Sequence, residues 1–132
     1  MPRIVADTNI YISALNFGGA PEEILALARA DAFLLYISPP ILKEIEGVLQ
    51  KKFKWSKGDI REALAFIASF TRRVNPQETV EEISEDPPDN RILECALEAR
   101  SDCIVSGDRH LQKLKQFRGI PIMSPREFLD SF

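Results

Sequence analysis

The chain has 132 residues, 45% of them hydrophobic and 28% charged, which is the balance of one globular domain with a real core. A formal charge of -3 and a pI near 5.2 give no global nucleic-acid signature, so any basic surface must be local. Two cysteines outside any CxxC pair and a single histidine argue against zinc, and no apolar run approaches the roughly 20 residues of a membrane span. A cytoplasmic protein with buried free thiols and no membrane contact is expected.

Ile4-Val5-Ala6 is a short apolar, β-prone run without polar alternation, as in a strand buried on both faces, and Asp7 ends it. After a turn at residues 16–19, Pro21 opens a helix whose Ile24, Leu25, Leu27 and Ala28 recur at helical spacing. Residues 33–37 form a second apolar strand. Ser38 reads as an N-cap with Pro39 in the first helical turn, and Ile41, Leu42, Ile45, Val48 and Leu49 form that helix's apolar stripe. Gly58-Asp59 precedes another helix, and a short strand at residues 71–74 is stopped by Pro76.

Residues 78–89 form an acidic, proline-interrupted loop, read as solvated. A helix follows with Ile92, Leu93, Ala96 and Leu97 on one face. Cys103-Ile104-Val105 is a buried strand ending at Gly107-Asp108. A short helix through Leu111 and Leu114 leads to a strand at residues 120–123, and Ser124-Pro125-Arg126-Glu127 is a capping box opening the last helix. No repeat or linker divides the chain, so residues 1–132 are read as one domain.

Apolar strands alternating with helices predict a parallel sheet covered on both faces, with ligands bound beyond the carboxyl ends of its strands. Asp7 and Asp108 follow strands directly. Glu44 lies early in the helix after the second strand, and Asp89 sits in the first turn of its helix, where the dipole favours a carboxylate. Gathered carboxylates repel unless a proton or a cation neutralises them, and a hard divalent ion is the usual partner.

Val5-Ala6-Asp7-Thr8-Asn9, Ser38-Pro39-Pro40-Ile41-Leu42-Lys43-Glu44, Asp86-Pro87-Pro88-Asp89-Asn90 and Val105-Ser106-Gly107-Asp108, in that order, resemble the PIN-domain family. The likeness is to its branch of stand-alone prokaryotic toxin components of toxin–antitoxin systems, the VapC-like ribonucleases. It runs from residue 3 to the Ser124–Leu129 ending. The resemblance implies a three-layer α/β/α fold with a central parallel sheet of four to five strands, and a metal-dependent ribonuclease site. Carried over by position, the family's four acidic residues fall on Asp7, Glu44, Asp89 and Asp108. Asn9 and Ser106 fall on its accompanying polar positions, and Asp86 is a further candidate. His110 occupies a place where the family implies no fixed residue, and reads as structural or exposed.

One or two Mg²⁺ or Mn²⁺ ions would activate water, polarise phosphoryl oxygens and orient in-line attack. Asp7, Asp89 and Asp108 would ligate directly, and Glu44 would act through water or orient the nucleophile. Asn9 and Ser106 would stand behind the ligands or position a phosphate. The resemblance further implies an RNA substrate, a cognate antitoxin and a homodimer. For the substrate, residues 51–57 interleave four lysines with Phe53 and Trp55, which suits phosphates and stacked bases but equally a helix end with its aromatics packed inward. Arg109, Lys113, Lys115 and Arg118 offer a second basic set.

Other carboxylate-bearing α/β proteins fit less well. A receiver domain needs a lysine after a later strand, and a HAD-type phosphatase needs a second aspartate where Asn9 stands. Dinucleotide binding lacks its glycine-rich turn. The alternative of another class is a catalytically silent PIN fold that binds RNA or protein.

Overall fold

A computed structural model describes residues 1–83 and 87–132. In chain order it contains β1 (Arg3–Ala6), α1 (Thr8–Asn16), α2 (Gly19–Arg29), β2 (Leu34–Ile37), α3 (Pro39–Lys51), α4 (Lys57–Phe70) and β3 (Thr71–Arg73). Then follow α5 (Asp89–Ala99), β4 (Cys103–Val105), α6 (Arg109–Leu114), β5 (Gln116–Phe117), β6 (Ile120–Met123) and α7 (Pro125–Asp130).

The sheet order is β3-β2-β1-β4-β6-β5, with all neighbours parallel except β5 and β6. The parallel part therefore has five strands, as expected, and the two-residue β5 extends it as an antiparallel edge. Val5 pairs with Tyr36 of β2 on one side and with Ile104 of β4 on the other. Ile4, Val5, Ala6, Cys103, Ile104 and Val105 are all buried, which is why these strands carry no polar alternation. The chain leaves β1 toward β2 and returns to its other side at β4, so the switch in strand order falls between β1 and β4. Helices flank the sheet, and α5 packs on β1 and β2. With Ile92, Leu93, Cys95, Ala96 and Ala99 buried, α5 is an interior helix.

Three local features differ from the sequence reading. The segment after Asp7 is a helix, α1, that the sequence does not advertise. Thr8, Ile10, Tyr11 and Ile12 are weak helix formers, yet all four are buried, and the helix packs against α2 and α3. Ser38 does stand at the N-cap of α3, but its hydroxyl makes no capping bond. Pro39 and Pro40 lack N–H groups, and the Ile41 N–H is taken by the Ser38 carbonyl at 3.1 Å. The β5–β6 hairpin turns on Arg118 and Gly119, with φ of 49° and 84°, as a two-residue turn with both central residues left-handed requires.

The acidic segment after β3 is exposed at Glu78, Glu81 and Glu82, but it is not simply solvated. Val80 and Ile83 are buried, the Val80 N–H donates to Glu94 (2.8 Å), and Asn90 exchanges two hydrogen bonds with Ile83 (2.9 and 2.7 Å). At the carboxyl end, Ser124 and Glu127 form the expected capping box. No helix among the described residues is long and apolar enough to cross a membrane.

Candidate metal centre at the switch point

Asp7 and Ser106 directly follow β1 and β4, so strand pairing carries them to the same edge of the sheet; the Asp7 N–H donates to the Val105 carbonyl at 3.0 Å. Asp7 is the N-cap of α1, where its Oδ1 accepts from the Ile10 N–H at 3.1 Å. Its Oδ2 accepts from the fully buried Ser106 hydroxyl. The same hydroxyl accepts from the Asp108 N–H at 2.9 Å, so Ser106 joins two aspartates from neighbouring strands. Gln112, from α6, donates to the Ser106 carbonyl at 2.7 Å and fixes the strand end from below.

Asp108 is the N-cap of α6, and its Oδ1 accepts from the N–H groups of His110 (2.7 Å) and Leu111 (3.3 Å). These bonds fix the Asp108 carboxylate at the helix terminus. Asp89 opens α5. Three helix N-termini, of α1, α5 and α6, thus carry the three aspartates, and their dipoles reduce the cost of grouping negative charge.

Asp89, Asp108 and His110 can each present a ligand atom such that all three lie within 4.8 Å of one another, and all three residues are half-buried. Asp7 stands beside this group through the Ser106 link. Only 3% exposed, its carboxyl is pushed up to about 6, chiefly by burial and further by the charge of Asp108, against the Ser106 and Ile10 hydrogen bonds that favour its ionised form. Asp7 is not within the 4.8 Å group itself, but Asp89 and Asp108 with an imidazole at hand, and the buried Asp7 carboxyl next to Asp108, are a donor set that fits a divalent cation.

Glu44 is half-buried on α3 and does not enter the tight group. It lines a cleft of about 700 Å³ with Lys43, Lys51, Lys52, Pro88 and Arg91, the last two flanking Asp89 in sequence. Asn9 is exposed in the first turn of α1. Asp86 lies outside the described residues.

The basic segments divide. Lys51 and Lys52 line the cleft with Glu44, whereas the aromatics pack as a helix end does: Phe53 stacks edge-on against Phe17, and the Trp55 indole donates to Asn16 at 3.2 Å. Arg118 is paired with Glu78 at 2.7 Å, away from any role as a free cation.

A sequence model described as PIN domain matches residues 3–110. The chain belongs to the PIN-domain family. An uncharacterized protein of Methanocaldococcus jannaschii is 30% identical over 143 residues, covering 98% of this chain and 91% of that protein. Among solved structures, a chain of VapBC2 from Rickettsia felis, bound to a DNA fragment from its promoter, superposes with a TM-score of 0.64. That match covers 92% of this chain and 98% of the other at 16% identity, a likeness of fold. PIN domains are generally nucleases that use divalent metal, and this PIN domain carries an acidic group at the β1–β4 switch of its sheet.

His110 is the member of the group that sequence reasoning set aside. Its signal was its place two residues after Asp108, in the first turn of a helix that Asp108 caps, which keeps the two side chains at one helix end.

Proposed function

We propose that this PIN domain is a metal-dependent ribonuclease that hydrolyses RNA phosphodiester bonds, as the toxin component of a toxin–antitoxin pair. The observation that carries the reading is the grouping of Asp89 and Asp108 within ligand range, with Asp7 tied to Asp108 through Ser106, at the switch point of the sheet. Asp7, Asp89 and Asp108 would hold Mg²⁺ or Mn²⁺. Such an ion, when bound, supplies an activated water and a Lewis acid for the phosphoryl oxygens. Ser106 ties the Asp7 carboxylate to the backbone N–H of Asp108. Glu44, on the wall of the neighbouring cleft, would orient a water, and Asn9, exposed at the start of α1, would meet a phosphate.

Lys43, Lys51 and Lys52 around that cleft supply the positive surface that an RNA backbone needs, beside an overall acidic chain. The VapBC2 likeness supports a small antitoxin as partner, and a homodimer is the assembly we expect. An antitoxin covering the site would place a basic side chain against the carboxylates.

The test is cleavage of a structured and an unstructured RNA with Mg²⁺, with Mn²⁺ and with EDTA, beside Asp7→Asn. Metal-dependent cleavage lost in the variant is the expected result. A folded protein that neither cuts nor binds metal would overturn the reading in favour of a silent binding module.

A further inference from the structure

We propose that His110 supplies a nitrogen ligand to the cation held by Asp89 and Asp108, and thereby tilts the centre toward transition ions such as Mn²⁺ over Mg²⁺. The inference rests on the reading of this group as a metal centre and adds a residue and a selectivity to it. Ligand atoms bonded to one ion at about 2.0–2.3 Å lie at most about 4.6 Å from each other. With ligand atoms within 4.8 Å of one another, Asp89, Asp108 and His110 can therefore meet on one ion after side-chain rotation.

The backbone holds the imidazole there. The His110 N–H donates to Asp108 Oδ1 at 2.7 Å, and the ring Nδ1 lies 3.6 Å from the same oxygen. The His110 side chain is 29% exposed and that of Asp108 20%, so the group lies near the surface, although Nδ1 itself is buried. The ring also faces Glu82, Ile83 and Lys113 across a small recess of about 230 Å³. Mg²⁺ is hard, prefers oxygen and retains its waters, whereas imidazole binds transition ions in preference. A centre with two carboxylates and one imidazole accordingly discriminates between the two ions where an all-carboxylate centre would not.

The alternative role for the ring is to hold the Asp108 carboxylate in place without touching the ion. The two differ in a spectroscopic signature. We would load the protein with Mn²⁺ and record pulsed electron paramagnetic resonance, with Mn²⁺ and Mg²⁺ affinities measured by calorimetry, for the parent, His110→Gln and Asp108→Asn. The expected result is a ¹⁴N coupling of directly bound nitrogen in the parent, lost in His110→Gln together with about tenfold or more in Mn²⁺ affinity and little in Mg²⁺ affinity. His110 being partly exposed, Gln is accommodated, and circular dichroism would check the fold. Mn²⁺ bound without nitrogen coupling, and lost in Asp108→Asn, would overturn the His110 proposal while leaving the metal centre standing. No Mn²⁺ or Mg²⁺ binding by the folded parent would overturn both.

Discussion

Asp7 shows what it costs to prepare a carboxylate for a cation. Its folded-state value of about 6 lies above the ordinary 3.8, so between those two the native state holds a proton that the unfolded chain has released. Metal-free stability from this group therefore falls as pH rises through that window, and the penalty is complete above about pH 6. Asp7→Asn keeps the N-cap and removes the charge. In EDTA at pH 7 the variant should be the more stable protein, by up to about 3 kcal/mol, with the advantage closing as pH falls toward 4. Urea unfolding at pH 4, 5, 6 and 7 measures this, and equal stabilities at pH 7 would refute it. Ser106→Ala acts in the other direction. It removes the donor to Asp7 and leaves the Asp108 N–H without its acceptor, so a loss of about 1–3 kcal/mol is expected in the same assay.

Residues 77–83, after β3, are held by a few polar anchors rather than by regular structure. Asn90 donates to and accepts from Ile83, and Glu94 holds the Val80 N–H while Arg91 pairs with Glu94 at 2.7 Å. Because α5 begins at Asp89, these bonds also fix the end of the helix that carries a proposed ligand. Asn90→Ala should cost about 1–3 kcal/mol and speed hydrogen exchange at the Ile83 amide well before global unfolding. Unchanged exchange there would show that burial of Val80 and Ile83 alone secures the segment. At the other end of the chain, Ser124→Ala should remove about 1 kcal/mol by dissolving the capping box of α7, read as a lower urea midpoint with unchanged slope.

The molecule is built around a sheet whose central strands are sealed on both faces, and the thiols report that sealing. Burial pushes Cys95 up to about 12 and Cys103 to about 11, although the Ser38 hydroxyl beside Cys95 works the other way. Neither thiol supplies thiolate near pH 8. Native protein should therefore react with a disulfide reagent only as fast as it unfolds, with both thiols appearing together in denaturant. Rapid native labelling of either would mean that α5 or β4 opens locally. The same enclosure keeps the site at the periphery. Where β1 and β4 end, and the chain has passed from one side of β1 to the other, the fold presents the sheet edge at which ligands bind in open α/β sheets.

Local chemistry made much of this legible in the chain. Short apolar runs without alternation mark doubly covered strands, and Asp7 and Asp108 announce strand ends. Ser124 and Glu127 spell a capping box, and four motifs in order identify the family. Those features depend on residues a few positions apart, where hydrogen-bonding geometry and periodicity act. Other features depend on elements distant in sequence. Helix α1 forms from poor helix formers because α2 and α3 bury its face. Ser106 joins Asp7 to Asp108 only because β1 and β4 pair across about a hundred residues. Glu44 faces a cleft beside α5 rather than the tight aspartate group, and His110 enters that group because α5 brings Asp89 to it. Which carboxylates share an ion is a question of distances between strands and helices, and those are set by packing.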